Sequence, residues 1–125
     1  MTLLLDTHTF LWWLSNPAFL SPAASSAISD PQNRVLVSVV SLWEIAIKRQ
    51  IGKLAAPINL EHDVQRVGFE VLPLEAKHIV ATERLPLHHR DPFDRMLIAQ
   101  ALIEGASLVT RDPSMTLYQA PIMTA

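Results

Sequence analysis

Four carboxylates stand out for where they fall along the chain. Asp6 closes a short apolar run, LLL at 3–5. Glu44 lies just beyond the β-branched segment RVLVSVV. Asp94 is the third residue of PFDRMLIAQALIE, and Asp112 follows SLVT at 107–110. A carboxylate ending a buried strand costs several kcal/mol unless it is paired or bound to a cation. Four of them converging on one place would repel each other, so either some hold a proton or a cation neutralises them. The chain has no cysteine, and an all-oxygen ligand set suits Mg²⁺ or Mn²⁺.

Each acid taken alone also has a plainer reading. Ser41-x-x-Glu44 matches a capping box. Asp91-Pro92-Phe93-Asp94 offers an N-cap, a proline at the first helical position and an acid at the third. Acids in the first turn favour the helix dipole. Asp112, in Arg-Asp-Pro-Ser, suits a turn. Asp6 could cap the helix that follows it. The joint pattern tips the balance towards a shared site. The stretch HHRDPFDRMLIAQA, residues 88–101, poses the choice most sharply, because six charged or titratable side chains precede a segment built for burial. There Asp91 reads as the cap, with a secondary chance of reaching the site, and Asp94 as the ligand.

The elements that must position these acids alternate along the chain. Strands are expected at 3–5, 34–40, 69–74 and 107–110, with one more in APIM near the C-terminus. Helices are expected over THTFLWWLS, with Thr7 or Thr9 as its cap, and over PAASSAIS, capped by Ser21 ahead of Pro22. Others follow: LWEIAIKRQI opened by Ser41 and stopped at Gly52, a helix over 59–67, EAKHIVATERL stopped by Pro86, and 92–104 ended by Gly105. Strand–helix alternation predicts an α/β fold with a parallel sheet covered by helices on both faces. In such sheets ligands sit at the carboxyl ends of the strands. All four acids are predicted there, Asp94 on the condition that its helix starts on that side. That helix is apolar nearly all round, interrupted by Arg95, Gln100 and Glu104. It belongs in the domain interior, in a dimer interface, or in both.

Bulk properties narrow the classes. The 125 residues suit one domain, 1–125. Apolar residues make up 50% and charged ones 18%, which favours a real core over disorder. Absence of cysteine removes disulfides, thiolate zinc sites and cysteine nucleophiles, and is compatible with a reducing cytoplasm. No apolar run approaches the roughly 20 residues of a membrane span. MTLLLDTHTFLWW has no basic n-region and is broken by Asp6, so neither a signal peptide nor a membrane anchor is expected. A net charge of −2 disfavours a non-specific nucleic-acid coat but not an enzyme that cuts nucleic acid. No phosphate-binding glycine loop or G-x-S-x-G is present. His8, His62, His78, His88 and His89 show no zinc spacing; His8, near Asp6, could reach the acidic site, with packing on its helix the favoured expectation.

Four segments together resemble the PIN-domain family, and within it the VapC-like ribonuclease toxins of bacterial toxin–antitoxin pairs. They are LLLDTHTFLWW, SVVSLWEIAIKRQIGKL, HHRDPFDRMLIAQAL and LVTRD, in the family's order and across most of the chain. The resemblance implies a three-layer α/β/α sandwich around a mainly parallel sheet, and an acidic pocket that binds Mg²⁺ or Mn²⁺ and cleaves RNA. It places the family's acids on Asp6, Glu44, Asp94 and the more variable Asp112. Asp91 belongs to a subgroup pattern, and Thr110 and Ser38 match positions that carry a small hydroxyl near the acids.

The expected chemistry follows. Carboxylates alone would repel an RNA phosphodiester, whereas one or two divalent ions can bridge the two, activate water and stabilise the leaving oxygen. In-line attack on phosphorus would leave 5′-phosphate and 3′-hydroxyl ends. Arg90, Arg95, Arg111, Lys48 and Lys53 are candidates for phosphate contact, set against ordinary surface roles. Two alternatives stand beside the toxin: a housekeeping RNA-processing or DNA-cutting nuclease on the same fold, and a catalytically silent binding module. Trp12, Trp13 and Trp43 cannot all enter one small core, since 12 and 13 adjoin on a helix. A homodimer is expected, and an inhibiting antitoxin that covers a groove of Trp and Leu residues.

Overall fold

Three consecutive leucines set the centre of the sheet. In β1 (Thr2–Leu5), Leu3 and Leu5 point to one face and Leu4 to the other, and all three are fully buried. Side chains alternate along a strand, so burial of both sets demands cover on both faces. Each such leucine contributes about 2 kcal/mol by leaving water. The same alternation runs through β2 (Arg34–Ser38), with Val35 and Val37 on one side and Leu36 on the other. The structure, a computed structural model, describes residues 1–56, 59–88 and 91–125.

Five strands form one sheet in the order β3-β2-β1-β4-β5, and every pairing is parallel. The others are β3 (Glu70–Leu72), β4 (Ser107–Thr110) and β5 (Ile122–Thr124). One face is covered by α1 (Thr7–Ser15), α2 (Pro22–Ser29) and α4 (Leu60–Arg66), through Phe10, Ala24, Ile28, Leu60 and Val64, joined by Ile45 of α3 (Val39–Gln50). The other is covered by α6 (Pro92–Glu104) and a 3₁₀ turn at Pro113–Leu117, through Leu97, Ile98, Ala101 and Met115. Helix α5 (Ala76–Thr82) packs on α6. The result is the expected three-layer α/β/α sandwich, its sheet parallel throughout the described pairings. No helix among the described residues is long and apolar enough to cross a membrane.

Several boundaries differ from the sequence reading, each for a local physical reason. The second strand stops at Ser38, not residue 40, because the Ser38 hydroxyl accepts from the Val40 backbone N–H at 3.0 Å and caps α3. Two valines therefore enter a helix against their β preference, and Val40 is buried there. Ser41 is not the cap. It lies inside the helix, and its buried hydroxyl has no hydrogen-bond partner among the described residues. Glu44 consequently sits past the first turn, and the capping box fails. Helix α1 is capped by Asp6 rather than Thr7 or Thr9. The third strand ends before Pro73, which cannot donate to a ladder. Helix α5 ends at Thr82, short of Pro86, and α4 is trimmed at both ends, with Asn59 as cap. The start of α6 is as read: the Asp91 side chain accepts from the N–H groups of Phe93 and Asp94, Pro92 leads, and Gly105 ends the helix at φ 66°. α6 buries Leu97 to Ala101 but leaves Leu102 and Ile103 exposed, so one of its faces remains open.

Candidate metal centre

Strand order reverses at β1. Its chain neighbour β2 lies on one side and β4 on the other. Such a switch point opens a crevice outside the carboxyl ends of the two central strands. Asp6 follows β1 directly, and Thr110 ends β4. Both are buried. The Thr110 Oγ1 donates to Asp6 Oδ2 at 2.6 Å, and the Thr9 backbone N–H donates to Asp6 Oδ1 at 2.9 Å. Asp6 therefore caps α1 with the same carboxylate that lines the crevice. Each oxygen accepts one bond and keeps a lone pair for another partner.

Glu44 reaches the same crevice from α3. Thr7 Oγ1 donates to its Oε1 at 2.6 Å, and Lys48 Nζ donates to its Oε2 at 2.7 Å, one turn along the helix. Glu44 is 5% exposed, so this pairing offsets the cost of a nearly buried charge. The hydrogen bond it donates to Glu44 raises the Lys48 pKa above its ordinary value. Partial burial opposes that, and the nearby charges of Glu44, Asp91 and Asp94 add to it.

A cleft of about 120 Å³ gathers Asp6, Thr7, His8, Glu44, Lys48, Asp91, Asp94 and Asp112. All four acids marked in the sequence meet there, and Asp91 joins them. Asp94 arrives because α6 starts at this edge. Asp112 also keeps its turn role, accepting from the backbone N–H and hydroxyl of Ser114 at 2.9 and 2.8 Å. Five carboxylates and one ammonium among the described lining residues leave a formal excess of four negative charges. Hard oxygen donors fit Mg²⁺ or Mn²⁺, and neighbouring donors orient the carboxylates of Asp6, Glu44, Asp91 and Asp112.

Other marked residues lie elsewhere. Ser38 is buried and gives its hydroxyl to Gln100, not to an acid. Arg95 donates to the carbonyls of Pro86 and Thr82 and to the Tyr118 hydroxyl, which ties the start of α6 to the loop after α5. Arg111 donates to the carbonyls of Ala125 and Phe19 and lies 4.5 Å over the Trp12 ring. Lys53 is exposed in the turn after α3. Arg90 lies outside the described residues. Lys48 is thus the phosphate candidate placed in the cleft. Thr7 escaped the sequence reading because its partner is 37 residues away. His8, expected to pack on its helix, does both: it stacks at 5.9 Å on Trp12 and lines the cleft.

A second group, Glu75, His78 and Glu104, brings three potential ligand atoms within 4.8 Å of one another. Its geometry is that of a structural knot. His78 Nδ1 accepts from the Glu75 backbone N–H at 3.0 Å, which leaves the proton on Nε2, 2.9 Å from Glu104. Lys77 supplies a cation 3.6 Å from the same carboxylate. The hydrogen bond from His78 holds the Glu104 pKa below the usual carboxylate range, opposed by partial burial and aided by Lys77.

Residues 3–120 match the PIN domain family model. The chain is 34% identical over 128 residues to Ribonuclease VapC22 of Mycobacterium tuberculosis, covering 96% of this chain and 94% of that one. Among solved structures, it superposes on a chain of VapBC2 from Rickettsia felis, bound to a promoter DNA fragment. The TM-score is 0.74, with 17% identity and 98% of each chain covered. FitAcB of Neisseria gonorrhoeae gives a TM-score of 0.62 with 17% identity, covering 98% of this chain and 96% of that one. At these identities the structural matches speak for the fold alone.

Proposed function

The chain belongs to the PIN domain family, and from that premise we propose that it is a divalent-metal-dependent endoribonuclease, the toxin of a toxin–antitoxin pair. The observation that carries this reading is the meeting of Asp6, Glu44, Asp94 and Asp112 in one cleft at the switch point of the sheet. The ribonuclease relative supports RNA as substrate, and the toxin–antitoxin complexes among its structural neighbours support an antitoxin as inhibitor.

In this reading Asp6, Glu44 and Asp94 hold Mg²⁺ or Mn²⁺, and Asp112 orients the attacking water or holds a second ion. A bound ion supplies Lewis-acid activation of water and neutralises phosphate charge. The protein's own groups do the rest. Thr110 and Thr9 fix the Asp6 carboxylate, and Thr7 and Lys48 fix Glu44. The Lys48 ammonium stays charged and offsets part of the negative charge that the RNA would meet. The products would carry 5′-phosphate and 3′-hydroxyl ends. The chain acts as one nuclease domain in the cytoplasm, where its RNA is.

Two apolar surfaces suit the proposed partners. A groove lined by Leu11, Trp12, Leu14, Phe19 and Leu54 adjoins the cleft at His8, and its Trp and Leu side chains make it the surface we assign to the antitoxin. Trp43 is 61% exposed, meets Phe93 edge-on at 5.3 Å, and with Leu74 and Met96 forms the patch we assign to a homodimer. Incubation of the purified chain with total RNA tests the function. Cleavage that stops on chelation and returns with Mg²⁺ or Mn²⁺ supports it. Cleavage undiminished by chelation, or none with either ion, refutes it.

A further inference from the structure

Gln100 is fully buried in α6, on a face otherwise made of Leu97, Ile98 and Ala101. A buried amide in such a place is costly unless every polar atom is satisfied. Its Oε1 accepts from Ser38 Oγ at 2.5 Å. Its Nε2 donates to the Pro73 carbonyl at 3.2 Å and lies 3.4 Å from His78 Nδ1. This orientation is fixed by its partners. The Pro73 carbonyl can only accept, and His78 Nδ1 already accepts from the Glu75 N–H, so both require the NH₂ end. The Ser38 hydroxyl is itself committed, accepting from the Val40 N–H as the cap of α3.

One amide therefore ties α6 to the cap of α3, to the loop after β3 and to the edge of α5. Its position along the helices gives the tie a consequence. Glu44 lies six residues beyond Ser38, and Asp94 lies six residues before Gln100. At 1.5 Å per residue each span is about 9 Å. Helices α3 and α6 pack against each other, and both acids line the same cleft. The Ser38–Gln100 bond is thus one fixed point between the two segments, and the cleft that Glu44 and Asp94 both line lies an equal length of helix away on each. Sliding α6 along α3 breaks the first and displaces the second.

We infer that Gln100 is a positioning residue that sets the register of α6 against α3, and with it the spacing of Glu44 and Asp94 in the cleft. The inference rests on the metal-site reading of those two acids. Gln100→Met keeps the side-chain length and removes both hydrogen bonds. At a temperature where it is folded, its Mn²⁺ affinity and kcat on RNA should each fall about 10-fold or more, while KM at saturating Mn²⁺ stays within about twofold, since outer-shell partners of metal ligands act on that scale. Ser38→Thr keeps the hydroxyl and should stay near the parent. Unchanged Mn²⁺ affinity and kcat in folded Gln100→Met overturn the inference.

A second measurement serves if that variant does not fold or if the parent binds no Mn²⁺. The chain has no cysteine, so spin labels at Ala46→Cys and Ile103→Cys, both exposed, report the α3–α6 distance directly. Ser38→Ala deletes the same bond from the other side, and its distance distribution should shift or broaden while Ser38→Thr does not. Identical distributions in all three sink the register claim whatever the metal does. A parent that binds no Mn²⁺ sinks the metal reading and leaves the distance test to decide the register.

Discussion

Thr110 Oγ1 and Asp6 Oδ2 lie 2.6 Å apart although 104 residues separate them in the chain. The bond joins the ends of β4 and β1, the two strands that flank the switch point. It leaves the Asp6 carboxylate with one fixed orientation and a lone pair to spare. A threonine at this place therefore orients the acid as well as ending the strand.

Thr110→Val keeps the shape and removes the donor. RNA cleavage and Mn²⁺ affinity should fall about 10- to 100-fold, the range seen when a metal ligand loses its outer partner. Steady-state cleavage and calorimetric Mn²⁺ titration check this. Full activity in the variant would mean that Asp6 needs no such orientation.

Ser41 carries a buried hydroxyl with no hydrogen-bond partner among the described residues. Removing an unsatisfied buried polar group relieves a desolvation cost of about 1–3 kcal/mol. Ser41→Ala should therefore raise the urea midpoint by an amount worth about 1 kcal/mol, helped by alanine's helix preference. A lower midpoint would show that the hydroxyl has a partner in solution.

Glu104 gives a pH dependence with a definite sign. Its folded pKa lies below the ordinary value because of the His78 hydrogen bond. The stability it contributes is thus present above the unfolded pKa and lost as pH falls through the folded one. Glu104→Gln should lose stability at neutral pH, and its unfolding free energy should depend less on pH below about 4.5, the ordinary carboxylate value. Parallel pH curves for parent and variant in that range would contradict the assignment.

Trp43 tests the proposed dimer. It is exposed and packs edge-on against Phe93. Trp43→Asp should convert a dimer to a monomer in light scattering at micromolar concentration with little change in thermal stability. A parent that is monomeric, or a variant that stays dimeric, removes this face from the assembly.

How much of this was legible in the sequence depends on the range over which each feature is decided. The cap at Asp91, proline at the first turn and the stop at Gly105 are local chemistry, and α6 has the bounds that chemistry dictates. The order of strands and helices follows from periodicity in the same way. The start of α3 was not decided locally. Ser41 looks like the cap, yet Ser38 takes that role, and its hydroxyl also meets Gln100, 62 residues away. Long-range partners explain the other gaps. Thr7 and Gln100 carry no periodic or motif signal, and they gain their roles only when the sheet brings distant segments together. Asp6, Asp94 and Asp112 were legible because each ends a strand or begins a helix at the same edge, whereas Glu44 reaches that edge from beyond the first turn of α3. Among the cations, Arg95 and Arg111 are held by carbonyl groups, and nothing in their spacing distinguishes them from Lys48 in the cleft.

The central claim is that Asp94 and its companions form a metal-dependent nuclease site. The most direct measurement is the rate at which Asp94→Asn, shown by circular dichroism to keep its fold, cleaves RNA in saturating Mg²⁺. The account predicts a fall of about 100-fold or more, a loss of roughly 2.7 kcal/mol in transition-state stabilisation. Cleavage as fast as the parent's would contradict it.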